Sequence, residues 1–366
     1  MKTGMALIFQ NPDKERSDRE VYQKELALGD QAERLGFQSL WSVEHHFTDY
    51  TMCPDVLQYL AYFAGRTKNI ELGSAVVVLP WHDPVRVAEE VAMLDHMSDG
   101  RMVLGIGRGL GRVEFEGFRL DMNESRANFV DYAQLLLEGL ENGYVEFESK
   151  RLKQPRREIR PNPFKSFRGR TYAAAVSPES VEIMARLGVG ILVIPQKPYE
   201  ELIPELDSYR LKFREHTGNE APPCLQFGWV YCHEDEEAAR EGAMKYIGRY
   251  YDTVMQHYEL AGSSHLKSVK GYEYYAKLQD GIETHGEDAA RNAFTDLQIW
   301  GTPAQCIEKI ASISSRIRSD SFTGVFSYAG MPWDDAERNM KLFADKVMPE
   351  LKRLPPIEQR FQAAAE

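Results

Sequence analysis

The chain has 366 residues and a formal net charge of −12, from 44 Lys and Arg against 56 Asp and Glu, which argues against a polyanion-binding surface spread over the whole protein. With 43% hydrophobic and 11% aromatic residues it can bury a large core, so disordered and fibrous classes are excluded. Cys53, Cys224, Cys232 and Cys306 form no close C-x-x-C pair and read as four reduced thiols, not as a disulfide framework or zinc ribbon.

The chain opens on an apolar run at residues 5–9 that gives way to a polar stretch. This run is too short for a signal-peptide core or a membrane span, so a soluble, cytoplasmic protein is expected and the run reads as a first strand. Ser17 and Glu20 are spaced as a capping box ahead of Tyr22, Leu26, Ala32 and Leu35, and Gly36 supplies the stop. Further strands are predicted at 39–43, 70–79, 102–106, 172–176, 191–195, 225–232 and 324–328. Asp83-Pro84, Ser177-Pro178 and Thr302-Pro303 each set an N-cap before a proline in the first turn of a helix. A last helix from about Asp334 buries Ala336, Met340, Phe343, Val347 and Leu351 along one stripe.

Residues 74–79 are apolar on both faces, which suits a parallel sheet covered by helices. Eight such strand–helix units favour an α/β fold closed into a (β/α)8 TIM barrel over a doubly wound open sheet. The whole of 1–366 is expected to form one barrel domain, with insertions in βα loops near 107–170 and 262–295. Those loops build the catalytic face of barrel enzymes. The polar, glycine-bearing stretch 262–287 is the candidate mobile lid.

Trp41-Ser42-Val43-Glu44-His45-His46-Phe47 follows the second strand. Adjacent side chains in an extended segment diverge, so the two histidines make a poor metal clamp and no metal site is expected. One can enter a pocket as general acid or base, or be a buried histidine bonded to a neighbouring backbone. Gly105-Ile106-Gly107-Arg108-Gly109 follows the fourth strand but matches neither a dinucleotide fingerprint nor a phosphate loop. Arg108 can grip a phosphate through two parallel bonds or face solvent. Ser177 and Ser180 open a helix, where they can hold an anion or serve as ordinary caps. Between residues 151 and 170 stand eight basic residues against the single acid Glu158. That stretch can attract a phosphorylated cofactor or the protein delivering it, but a solvated hairpin with compensating acids is the simpler reading. Neither nucleic acid nor a membrane is expected as a partner.

These stretches together resemble the bacterial luciferase-like flavin monooxygenases. The resemblance rests on Glu44-His45-His46-Phe47-Thr48, on residues 72–80 with Pro84-Val85-Arg86, and on 94–101 running into Gly105-Ile106-Gly107-Arg108-Gly109. Ser177-Pro178-Glu179-Ser180, Gly301-Thr302-Pro303 and residues 342–349 extend it over nearly the whole chain. It implies a two-component monooxygenase that takes reduced FMN from a separate flavin reductase, forms a flavin C4a-peroxide with O2, and oxidises a lipophilic organic molecule such as an aldehyde or ketone. It further implies His45 as catalytic acid or base, and Ser74 and Ala75 lining the isoalloxazine across a non-proline cis peptide. Arg108, Ser177 and Ser180 would sit on the flavin phosphate. Gly107 stands beside the flavin where luciferases of the family carry a reactive cysteine, which argues against light emission and suggests room for a bulkier substrate. A homodimer paired through helices is the implied assembly. A deazaflavin-dependent dehydrogenase on the same barrel and a non-catalytic flavin-binding partner subunit are the competing readings. The Glu44-His45-His46 run disfavours the first, and His45 with Arg108 the second.

Overall fold

The computed structural model describes residues 1–174, 178–260, 265–357 and 359–360. Eight parallel strands form the barrel: β1 Lys2–Leu7, β2 Ser39–Ser42, β3 Glu71–Ser74, β4 Met102–Gly107, β5 Thr171–Ala174, β6 Gly190–Val193, β7 Cys224–Cys232 and β8 Ser319–Val325. Each pairs in parallel with the next around the ring, β7 bonding to both β6 and β8. The ring closes where β8 returns to β1, with Met5 opposite Gly324. β2, β4 and β6 are buried along their whole length, as helices on the outside and side chains within require. The expected (β/α)8 barrel is borne out.

Among the described residues, the predicted start signals at Ser17, Asp83 and Thr302 and the stop at Gly36 act where they stand. Ser17 Oγ accepts from the Glu20 amide at 3.2 Å and opens α1, Asp18–Leu35, which ends on Gly36 with φ 90°. Asp83 caps α3, Pro84–Met97, through the Val85 and Arg86 amides. Thr302 and Gln305 close a reciprocal capping box on α11, Pro303–Ile317. All four cysteines are buried and free. Among the described residues no helix is long and apolar enough to cross a membrane.

Four stretches depart from the sequence reading. The run 70–79 is not one strand: β3 ends at Ser74, the Ala75–Val76 peptide is cis, and Val77–Val78 then pairs with the end of β4. The last strand starts at Ser319, five positions before the predicted 324, because its first half is polar. Ser319 is nonetheless fully buried, its hydroxyl bonded to the Cys224 carbonyl at 2.6 Å. A short additional strand, Ile299–Gly301, lies beside the end of β7. The segment 262–287 contains more apolar order than its polarity suggests: with the residues that follow it holds α9, Glu273–His285, and α10, Glu287–Leu297. Its Leu266 and Tyr272 join Phe115, Met122 and Leu260 in a second buried cluster.

Residues 107–170 carry α4, Arg112–Gly117, α5, Ser125–Asn142, and an antiparallel hairpin of Tyr144–Glu148 with Lys153–Glu158. The basic stretch has its compensating acids. Arg151 meets Glu124 at 3.0 Å, Lys153 meets Glu148 at 3.2 Å, Arg156 meets Glu146 at 3.7 Å and Arg168 meets Glu141 at 3.5 Å. Arg170 pairs with the buried Asp95 at 2.7 Å.

The rim of the barrel depends on a close approach between β3 and β4. Ser74 Oγ donates to the Gly105 carbonyl and accepts from the Gly105 amide, both at 2.9 Å, and a Cβ on Gly105 would stand 1.9 Å from the Ser74 carbonyl oxygen. Backbone cannot yield that much, so Gly105→Ala is expected to destabilise the fold by about 1–3 kcal/mol or more. Urea unfolding with Ser98→Ala, whose hydroxyl makes only a local bond to the Asp95 carbonyl, as comparison checks this.

Candidate active site

At the carboxyl ends of the strands lies a cavity of about 430 Å³. The end of β4 and the loops after β2, β3 and β4 bring His45, Ala75, Gly107 and Arg108 to its wall, the helix Pro178–Leu187 brings Ser180, and α8, Glu236–His257, with the residues after it, brings Tyr250 and Tyr258. Phe227, Trp229 and Phe294 make much of the remaining surface apolar.

The two adjacent histidines do diverge. His46 turns to Glu44, with Nε2 3.1 Å from Oε1. The same carboxylate receives His82 Nε2 at 2.7 Å and the Val78 amide at 2.8 Å. Burial pushes the Glu44 carboxyl up, but His46, His82 and the Val78 amide more than offset it, and the group ends below its ordinary range. His82 is displaced the other way: burial lowers it, and bonding to Glu44 raises it further.

His45 turns to the cavity and to Glu114 on α4. Its Nδ1 lies 2.9 Å from Glu114 Oε1. An ionised carboxylate only accepts, so Nδ1 carries the hydrogen and Nε2 is left with its lone pair. The Tyr258 hydroxyl is 3.4 Å from that Nε2. Glu114 Oε1 also accepts the His46 amide at 3.0 Å, and Oε2 faces His257 Nε2 at 3.6 Å. Burial would raise the Glu114 carboxyl, but the neighbouring imidazoles, His45 first and then His257, hold it at about 2. His257 is itself lowered, chiefly by burial.

A separate part of the wall is cationic. Arg108 Nη1 donates to the Gly271 carbonyl at 2.8 Å and its guanidinium lies 3.9 Å above the Tyr272 ring. Arg126, from the first turn of α5, donates to the same carbonyl at 3.0 Å. Two guanidiniums thus meet on one neutral oxygen beside the cavity that both line.

Of the residues singled out in the sequence, His45, Ala75, Gly107, Arg108 and Ser180 therefore come together. Ser74 does not reach the cavity: its hydroxyl is fully buried between β3 and β4. Ser177 lies outside the described residues. The cis peptide stands one bond later than expected, at Ala75–Val76. Gly107 opens no room for substrate either, since a Cβ there would come within 2.3 Å of Val76 Cγ2. The sequence reading missed Glu114, Arg126, Tyr258 and His257. For Arg126 a signal existed: a cation in the first turn of a helix opposes the helix dipole and calls for an anion nearby.

Comparison with known proteins agrees with this fold. A family model described as luciferase-like monooxygenase matches residues 1–318. The chain is 30% identical over 357 residues to the alkanal monooxygenase alpha chain of Photorhabdus luminescens, covering 96% of this chain and 98% of that one. Among solved structures, the monooxygenase RslO1 from Streptomyces bottropensis superimposes with a TM-score of 0.80 at 24% identity, over 96% of this chain and 99% of that one. The oxygenating constituent of the 3,6-diketocamphane monooxygenase of Pseudomonas putida, a type II Baeyer-Villiger monooxygenase in complex with FMN, does so with a TM-score of 0.74 at 17% identity, over 97% and 100%. At these identities the two structures speak for the fold.

The Glu114 carboxyl, depressed from its ordinary 4.5 to about 2 in the folded chain, stabilises the native state above pH 4.5. That contribution fades as pH falls toward 2, and is on the order of 3 kcal/mol when complete. Glu114→Gln is expected to be less stable than the parent near neutrality, with the gap narrowing between pH 5 and 3 in urea titrations.

Proposed function

Because the chain belongs to the luciferase-like monooxygenase family, we propose that it is a flavin-dependent monooxygenase that uses reduced FMN, supplied by a separate flavin reductase, and O2 to oxidise a lipophilic small molecule such as an aldehyde or ketone. The observation that carries this reading is the convergence of Arg108 and Arg126 on the single Gly271 oxygen, in the wall of the apolar cavity that His45 also lines. Two guanidiniums held that close suit the oxygens of a phosphate, which both can bond in parallel pairs.

The residues present fit a flavin mononucleotide. Arg108 and Arg126 would take the phosphate, with Ser180, and with Ser177 as the sequence suggests. Ala75, Val76 and the glycine backbone at Gly107 would lie against the ring system. When bound, reduced FMN supplies the electron pair that allows O2 to react with an organic molecule. His45 Nε2 then holds or moves the proton, while Glu114 fixes the hydrogen on Nδ1 and so keeps Nε2 available. Phe227, Trp229 and Phe294 exclude water and favour an apolar substrate. The exposed Tyr62 of the helix Val56–Ala64, with Met93 and Met97 of α3, would be covered if two copies paired through these helices as a homodimer.

Oxygen uptake with supplied reduced FMN, against reduced deazaflavin as control, tests the reading. Uptake and product formation with the first and none with the second are expected; hydride transfer from the deazaflavin without oxygen consumption overturns it. His45→Ala should lower substrate oxidation by roughly 10²-fold or more with FMN affinity little changed. Arg108→Ala should weaken FMN binding by roughly 10- to 100-fold, the loss of a charge-assisted bond worth about 1.5–3 kcal/mol. A fluorescence titration of the flavin separates the two variants.

A further inference from the structure

His257 has no part in the reading above, yet it completes a cluster that neighbouring positions in the sequence do not reveal. His45 comes from the loop after β2, Glu114 from α4 and His257 from the end of α8, and one donor atom of each lies within 4.8 Å of the other two. We infer that His45, Glu114 and His257 form a binding site for a borderline divalent cation of the Zn²⁺ type.

The first support is a pair of buried atoms that face each other without a hydrogen bond. Glu114 Oε2 and His257 Nε2 have no hydrogen-bond partner, their side chains are 0% and 1% exposed, and they stand 3.6 Å apart. Two ligand atoms on one tetrahedral zinc, each about 2.0–2.2 Å from the metal, lie roughly 3.4 Å apart, close to the separation seen. A second support is the outer contact of His257: its Nδ1 lies 2.9 Å from Thr48 Oγ1. With the hydrogen on Nδ1 donated to that hydroxyl, the Nε2 lone pair points at the carboxylate, the arrangement that outer partners impose on metal-bound histidines.

Charge and ligand type agree. Among the described residues Glu114 has no Arg or Lys ion pair; its ion-pair partners are the two imidazoles. Two neutral imidazoles and one carboxylate leave a charge of −1 that a dication would reverse, and this donor set suits zinc, cobalt or nickel better than magnesium or calcium. Three protein ligands leave a fourth position for water. Binding would replace the hydrogen on His45 Nδ1 by the metal and release that proton to solvent. On the proposed role of His45, the bound cation would also inhibit oxidation; that consequence rests on the functional reading, whereas the binding does not.

Co²⁺ added to the full chain tests the site. One equivalent should bind with the visible absorption of a tetrahedral centre, and Zn²⁺ should displace it. His257→Ala and Glu114→Gln should each weaken binding at least about tenfold, with circular dichroism verifying the fold, and Thr48→Val should weaken it more mildly through His257. No uptake of Co²⁺ at about 1 mM, or uptake equally tight in His257→Ala, overturns the site and leaves His257 and Glu114 as an ion-pair contact alone. Should Co²⁺ bind as described while Zn²⁺ leaves oxygen uptake unchanged, the site stands and the role of His45 in the reaction falls.

Discussion

The rim of the barrel is organised around the Glu44 carboxylate. Taking an ionised carboxyl out of water costs several kcal/mol unless its oxygens are satisfied, and Glu44 meets that cost with His46, His82 and the Val78 amide. Each bond fixes something else. The Val78 amide ties the chain just beyond the cis Ala75–Val76 peptide to the loop after β2, which holds Val77–Val78 in register with β4. His46 is consumed, so His45 is the histidine left to face the cavity. Without this buried charge the loop after β2 and the segment after β3 would lose the hydrogen bonds from the Val78 amide and His82 that join them.

That division of labour explains what could and could not be read from the residues alone. The eight strands were visible because parallel strands buried on both faces are largely apolar; the run 70–79 overran β3, and β8 was placed late because it begins with Ser319, Asp320 and Ser321. The divergence of His45 and His46 follows from the alternation of an extended segment, so the better candidate for the cavity could be narrowed to one of two. Its partner could not. Glu114 is 69 positions from His45, on a helix of six residues with no apolar stripe long enough to orient it. Ser74 misled for the opposite reason: its place in the motif is right, but the close approach of Gly105 turns its hydroxyl into a strand-to-strand bond.

The stretch 262–287 shows how a polar composition can conceal packing. Its apolar residues are few, but Leu266 and Tyr272 are buried against Phe115 and Met122. Tyr272 also bonds through its hydroxyl to Ser125 at 3.0 Å and to the Gly109 carbonyl at 2.9 Å, and carries Arg108 on its ring. One side chain therefore joins the glycine loop after β4, the start of α5 and the cationic part of the cavity wall.

The same cluster bears on the imidazole. A six-residue helix such as α4 has too few internal bonds to persist by itself, and no side chain caps its start. Its position must come from packing: Phe115 is held in the cluster with Leu266 and Tyr272, while Glu114, one residue earlier, is held by His45 and the His46 amide. The tautomer of His45 is thus set by a carboxylate whose placement depends on an aromatic ring buried beside the cationic wall. Loosening Tyr272 would free Arg108 and, through Phe115, shift Glu114 as well, so the two chemically distinct parts of the cavity share one mechanical support.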